Sequence, residues 1–165
     1  MALEFSAGEV FEMACQIERN GAAFYRSAAE TVRDAARKQK LLDLATMEDE
    51  HLAKFTAMLN DLSAKERIES VYDPDNVAAQ YLRALADTRV FNVSEDPRET
   101  LTGNESLENI LLTAIGLEKD SIIFYLGICE LVPEKLGNAQ MDDIIREEMG
   151  HIVLLSDDLA VELEK

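Results

Sequence analysis

Two stretches a hundred residues apart constrain this chain more than anything else in it. Glu18, Phe24, Tyr25, Glu48 and His51 in the first half are answered by Glu118, Phe124, Tyr125, Glu148 and His151 in the second. Each copy reads Glu-x5-Phe-Tyr and then, thirty residues after its first Glu, Glu-x-x-His. Ser6 and Ser106, and Leu59 and Leu159, keep the same register. The repeat therefore runs over about residues 6–62 and 106–162, with a crossover of about 63–105 between the copies. Self-similarity at this length means two structural units of the same kind, so each element identified in one half predicts one in the other.

Those elements read as helices. Ser6 with Glu9 three residues later is a capping box. From there Val10, Phe11, Ala14, Ile17, Glu18, Ala22, Tyr25 and Ala29 keep helical spacing, which predicts a helix over Ala7 to about Thr31. Gly21 inside it costs stability relative to Ala and implies a close helix approach. After a turn near Val32 to Asp34, a second helix runs to about Leu62, with Leu41, Leu44, Glu48, His51, Phe55 and Leu59 on one stripe. A third starts from Asn104 or Ser106, carries Ile110, Leu111, Ala114, Ile115, Glu118, Ile122, Tyr125 and Cys129, and ends before Pro133. Leu136-Gly137-Asn138 reads as a turn. A fourth helix carries Met141, Ile144, Glu148, His151, Leu155 and Leu159.

In the crossover, Ser63 with Glu66 caps a short turn. Asp73-Pro74 starts a further helix whose apolar face is Val77, Tyr81, Leu82 and Leu85; the pattern fades after Thr88. This segment would let the third long helix begin at the same end as the first, or otherwise re-enter the bundle where a short loop cannot reach. No segment alternates as a strand does. Scarce Gly (7) and Pro (3) among 165 residues agree with an all-α fold and one domain, 1–165.

A net charge of −17 excludes nucleic acid and anionic membranes as natural partners. No apolar run is long enough to span a bilayer, and Met1-Ala2-Leu3-Glu4 does not begin a secretory signal. A cytoplasmic protein is expected. Cys15 and Cys129 do not correspond in the repeat, form no CxxC, and read as small buried apolar residues in a reducing compartment.

The chemistry lies in the six repeated ligand-type residues. Glu48 and His51, and Glu148 and His151, share a helix face at i, i+3. With apolar stripes turned inward, Glu18, Glu48, Glu118 and Glu148 all point into the core. Four buried ionised carboxylates without partners are prohibitive. Either they stay protonated, or the helices rotate them outward as solvated charge, or cations neutralise them. Two divalent ions balance four carboxylates, and one imidazole per ion suits iron or manganese; zinc is compatible, while calcium has no use for His. Asp49, Glu50 and Glu147 lie at other helical angles and read as surface charge. Met13, Met47, Met58 and Met149 read as core or interface filler rather than sulfur ligands.

This constellation resembles the ferritin-like di-iron bundles: one Glu from each of two helices and a Glu-x-x-His from each of the other two. Within that class, Glu-x6-Tyr before Glu-x-x-His in both halves resembles the rubrerythrin branch, over the helical parts of nearly the whole chain. The resemblance implies a ferritin-like four-helix bundle with a long crossover containing an extra helix. It also implies a di-iron centre and redox chemistry on hydrogen peroxide or dioxygen, with ferrous iron oxidation and storage as the relatives' alternative. Carried over, Glu18 and Glu118 are terminal carboxylates, Glu48 and Glu148 bridge, and His51 and His151 each bind one metal. Tyr25 and Tyr125 hydrogen-bond a carboxylate ligand on another helix. Pairing as a homodimer is implied as well. Two features depart from the branch. Two cysteines cannot form the four-thiolate rubredoxin iron site, so an external electron donor is required. Ser121 stands where rubrerythrins place an extra Glu, which leaves a plainer six-ligand site.

Overall fold

The computed structural model describes residues 5–68, 73, 75, 77–87, 101–132 and 138–164. Within them the elements are α1 (Ala7–Thr31), α2 (Ala35–Asp61), α3 (Ala64–Ile68), α4 (Val77–Asp87), α5 (Leu107–Leu131) and α6 (Asn138–Leu163). The described residues contain no strand. Pro74, Pro133, the side chain of Leu85, residues 88–100 and the Leu136-Gly137 turn lie outside them.

Local chemistry sets the helix ends. The Ser6 hydroxyl accepts from Glu9 N, and the Glu9 carboxylate accepts from Ser6 N at 2.8 Å. Asp34 caps α2 by accepting from Arg37 N, and Ser106 caps α5 by accepting from Asn109 N. Ser63 and Glu66 make a reciprocal box on α3. Asp73 accepts from the amides of Val77 and Ala79, closing the start of α4. Each such cap satisfies amides that a helix's first turn leaves open.

Two helical hairpins, α1–α2 and α5–α6, pack face to face. Their relative direction follows from two reciprocal contacts. Tyr25 Oη donates to Glu118 and Tyr125 Oη donates to Glu18. Parallel helices cannot make both contacts, because the two imply registers fourteen residues apart. Antiparallel helices make both at once. The second pair behaves alike: Lys40 meets Asp158, His51 meets Glu147, and Met47 meets His151. The hairpins are thus related by a pseudo-two-fold axis across the bundle, and α5 begins at the end opposite to the start of α1. Of the two alternatives the sequence left open for the crossover, this excludes a start at the same end as α1 and leaves re-entry where a short loop cannot reach. Because α2 returns to the end where α1 started, the connection to α5 has to traverse the bundle's length, on the order of 40 Å for a helix of this size.

The core divides into two apolar layers. One joins the start of α1 to the end of α5 through Val10, Phe11, Ala14, Cys15, Phe55, Ile128, Met141 and Ile144. The other joins the end of α1 to the start of α5 through Phe24, Ala28, Leu41, Leu44, Ile110, Ala114 and Leu155. Each fully buried phenylalanine contributes roughly 1.5–3 kcal/mol by leaving water. The polar residues of both stripes fall between the layers.

Smaller corrections concern three helices. On α2, Met58 is buried where Leu59 was expected, and Leu59 is only half-buried. Among the described side chains of α4, Ala79 and Leu82 are buried, whereas Val77 and Tyr81 are exposed. Asn138 is the first residue of α6 rather than part of the turn. Two glycines permit close packing of the crossover. A β-carbon on Gly8 would lie 2.8 Å from the Arg67 carbonyl oxygen at the end of α3. One on Gly127 would lie 2.8 Å from the Tyr81 ring of α4.

Candidate metal centre

The four long helices each deliver one carboxylate to the plane between the core layers, and α2 and α6 each add an imidazole one turn on. Glu18, Glu48, His51, Glu118, Glu148 and His151 are all buried, none more than 4 % exposed. They fall into two overlapping sets, Glu18–Glu48–His51–Glu148 and Glu48–Glu118–Glu148–His151. In each set one atom per residue lies within 4.8 Å of every other. Glu48 and Glu148 belong to both. The structure thus brings together all six residues singled out from the sequence.

Both imidazoles turn Nδ1 inward. His51 Nδ1 lies 3.0 Å from Glu148 and 3.5 Å from Glu18. His151 Nδ1 lies 2.9 Å from Glu148 and 3.3 Å from both Glu48 and Glu118. The rings stack with centroids 5.6 Å apart. Tyr25 and Tyr125 each donate to the outer carboxylate on the opposite hairpin, as expected for residues two turns beyond their own Glu. Both phenols sit well above their ordinary value, through burial and the neighbouring carboxylate charge. They therefore remain donors.

Electrostatics in the metal-free protein is that of an acid cluster sharing too few cations. Burial raises Glu48 well above the usual carboxylate range and lifts Glu118 to about 7. Burial pulls the imidazoles down, but the surrounding carboxylates outweigh it. His51 is pushed up to about 10 and His151 to about 12. Glu148, between both rings, is held down at about 2 against its own burial. Imidazolium thus supplies the positive charge that the carboxylates demand.

Hydrogen bonding leaves the centre incomplete. Glu18 Oε2, Glu48 Oε1, both Glu148 oxygens and the Nδ1 atoms of His51 and His151 are buried and make no well-directed hydrogen bond: they crowd one another and Glu118 Oε1 at ion-pair distance, 2.9–3.5 Å. Buried polar atoms are rarely left so. Oxygen and imidazole nitrogen converging from several helices are the donor set of a first-row transition metal. The residues present therefore fit bound metal ions.

Outward of the cluster, the structure adds residues that the sequence reading set aside. Glu147 is not merely surface charge: its Oε2 lies 2.7 Å from His51 Nε2, and both its oxygens accept from Lys54 Nζ. Met47 is not merely filler, because its Sδ lies 3.2 Å from His151 Nε2. The signal available was positional. Residues 47 and 147 directly precede the shared Glu in each copy, and they differ in kind. Ser121 donates to Leu117 O on its own helix.

A four-helix arrangement of two antiparallel hairpins with a buried carboxylate–histidine cluster defines the ferritin-like class. The rubrerythrin family model matches residues 9–157, and the chain belongs to that family. It is also similar to a Thermotoga maritima protein of known structure, described as a ferritin-like diiron-carboxylate protein. The identity is 24 % and the TM-score 0.74, over 95 % of this chain and 96 % of that one. At that identity the likeness concerns the fold. No curated protein matches the chain. None of the described helices is long and apolar enough to cross a membrane.

Proposed function

We propose that the cluster holds two iron ions and that the protein carries out redox chemistry on hydrogen peroxide or dioxygen. The observation that carries this reading is the set of buried oxygen and nitrogen atoms, without well-directed hydrogen bonds, contributed by four helices. Membership of the rubrerythrin family supports iron as the metal. Glu18 and His51 serve one ion and Glu118 and His151 the other, with Glu48 and Glu148 shared between them. Two divalent charges cancel four carboxylates, which removes the need for imidazolium. Iron, when bound, supplies the electrons for O–O bond reduction.

The chain's own residues supply geometry and exclusion. Tyr25 and Tyr125 hold one oxygen of Glu118 and Glu18 in place. The apolar layers on either side keep bulk water from the carboxylates, which strengthens their charge interactions. Cys15 and Cys129 are free thiols on different helices, so these two residues cannot relay electrons through a four-thiolate iron. The reading therefore includes an external electron donor.

Anaerobic ferrous loading followed by stopped-flow mixing with peroxide, and separately with dioxygen, tests this. The expected result is uptake of two ferrous ions per chain and faster oxidation by peroxide. Faster oxidation by dioxygen would favour a ferroxidase or iron-storage role instead. No optical change with either oxidant would overturn the redox reading and leave a non-redox metal such as zinc.

A homodimer belongs to the same proposal. The outer face of α5–α6 exposes Leu112, Leu126, Met149 and Val153. On the outer face of α1–α2, Arg26 and Asp49 form an ion pair at the positions equivalent to Leu126 and Met149. One hairpin is thus charged where the other is apolar, as expected of a face that meets a second copy.

A further inference from the structure

The two imidazoles look alike from inside the centre and differ behind it. Behind His51, Glu147 Oε2 stands 2.7 Å from Nε2, and Lys54 Nζ anchors the same carboxylate at 2.8 and 2.9 Å. Behind His151, the neighbour of Nε2 is the Met47 thioether at 3.2 Å. The repeat makes this a like-for-like exchange. Met47 occupies the position of Glu147, and Leu154 that of Lys54. Met47 and Leu154 also line a cavity of about 210 Å³, walled mainly by leucines, with Arg37, Lys40, Asp43 and Asp158 also among its lining residues. A polar relay to the surface on one side is replaced by hydrocarbon on the other.

A neutral imidazole that gives Nδ1 to a metal must carry its proton on Nε2. At His51 that N–H points at a carboxylate, and a charge-assisted bond of this kind fixes the tautomer and strengthens the ring as a donor. At His151 the N–H meets a thioether, a weak acceptor, in surroundings that leave the ring's orientation to packing alone. The inward contacts do not favour His51: its Nδ1 lies 3.0 Å from Glu148 and 3.5 Å from Glu18, while that of His151 lies 2.9 Å from Glu148 and 3.3 Å from both Glu48 and Glu118, so a preference for the His51 end has to come from behind the ring.

We infer that the two metal positions are unequal. The Glu18–His51 end binds a divalent cation tightly, the Glu118–His151 end binds it weakly, and Glu147 is the positioning residue that makes the difference. This rests on the metal reading of the preceding subsection and concerns the rank of the two positions within it.

Cobalt(II) is a suitable probe, because its visible absorption and its heat of binding both report occupancy without turnover. In the native chain two resolved steps are expected, separated by roughly 10- to 100-fold in affinity, the range seen when such a supporting partner is removed. Glu147→Met should weaken the first step by a similar factor and leave the second in place. His51→Ala should abolish the tight step and His151→Ala the weak one. In the exchange variant Met47→Glu/Glu147→Met these assignments should reverse. A loss of packing would not produce such a reversal, and circular dichroism checks that each variant is folded. Two equal steps in the native chain, or an affinity ratio indifferent to Glu147→Met, would overturn the inference while leaving the metal reading intact. No cobalt uptake at all would overturn both.

Discussion

A β-carbon at position 21 would lie 3.1 Å from Glu48 Oε2 and 3.3 Å from its Cδ. Gly21 therefore marks where one of the shared carboxylates passes close over α1. Alanine there brings two opposing effects. Helix propensity improves by about 1 kcal/mol, while Glu48 must retreat by a few tenths of an ångström. The expected outcome for Gly21→Ala is a change in metal-free stability of less than about 1 kcal/mol. Cobalt affinity should fall roughly tenfold. Urea denaturation and cobalt titration measure the two separately, and unchanged affinity would show that Glu48 tolerates the contact. The sequence disclosed that something approaches Gly21 but not what. Periodicity reports which face a residue occupies, and only the crossing of two helices decides which neighbour arrives there. Glu147 illustrates the same limit. It lies about 100° around the helix from Glu148, outside the apolar stripe, so a reading based on stripes assigns it to solvent. Its carboxylate reaches back across α2–α6 to His51 because the helices cross there.

Among whole elements, α1 and α5 start close to where capping chemistry puts them. Ser6 with Glu9, and Ser106, are local signals, and local signals survive folding. The direction of α5 was not legible. An inward stripe looks the same whether its helix runs up or down the bundle, so the sequence left open where the crossover ends. Contacts between the hairpins decide it, above all the reciprocal Tyr25–Glu118 and Tyr125–Glu18 pairs. The outer face of α5–α6 carries a prediction at this scale. Rebuilding the ion pair of the other hairpin with Leu126→Arg and Met149→Asp should convert a two-chain particle into a single chain without changing helix content. Light scattering after gel filtration gives the mass. A native protein that already runs as one chain, or a double variant that stays paired, would remove this face as the interface.

For the molecule as a whole, the centre is a charged layer between two apolar ones, and its protons couple to the stability of everything around it. In the metal-free protein Glu118 lies at about 7 against an ordinary 4.5, and His51 and His151 at about 10 and 12 against 6.5. Values raised by folding contribute stability that is complete below the ordinary value and is lost as pH climbs through the raised one. The loss runs from about 4.5 through 7 for Glu118, and from 6.5 towards 10 and beyond for the imidazoles. Glu148, lowered to about 2, acts only at the acid extreme. The metal-free protein should therefore melt at a lower temperature at pH 9 than at pH 6. The metal-loaded protein should show little of this slope, since its carboxylates are neutralised without protons. Scanning calorimetry of both forms at the two pH values checks this, and a flat metal-free profile would contradict it.

The pseudo-two-fold axis has a further consequence. Two separate identical hairpins could build the same six-residue cluster, but symmetry would oblige them to carry the same residue at every matched place. Glu147 could then not stand where its twin is Met47, nor Leu126 where its twin is Arg26. Joining both hairpins in one polypeptide is what permits a left side and a right side at all, and with them a different neighbour behind each imidazole and an outer wall that is apolar on one flank and charged on the other.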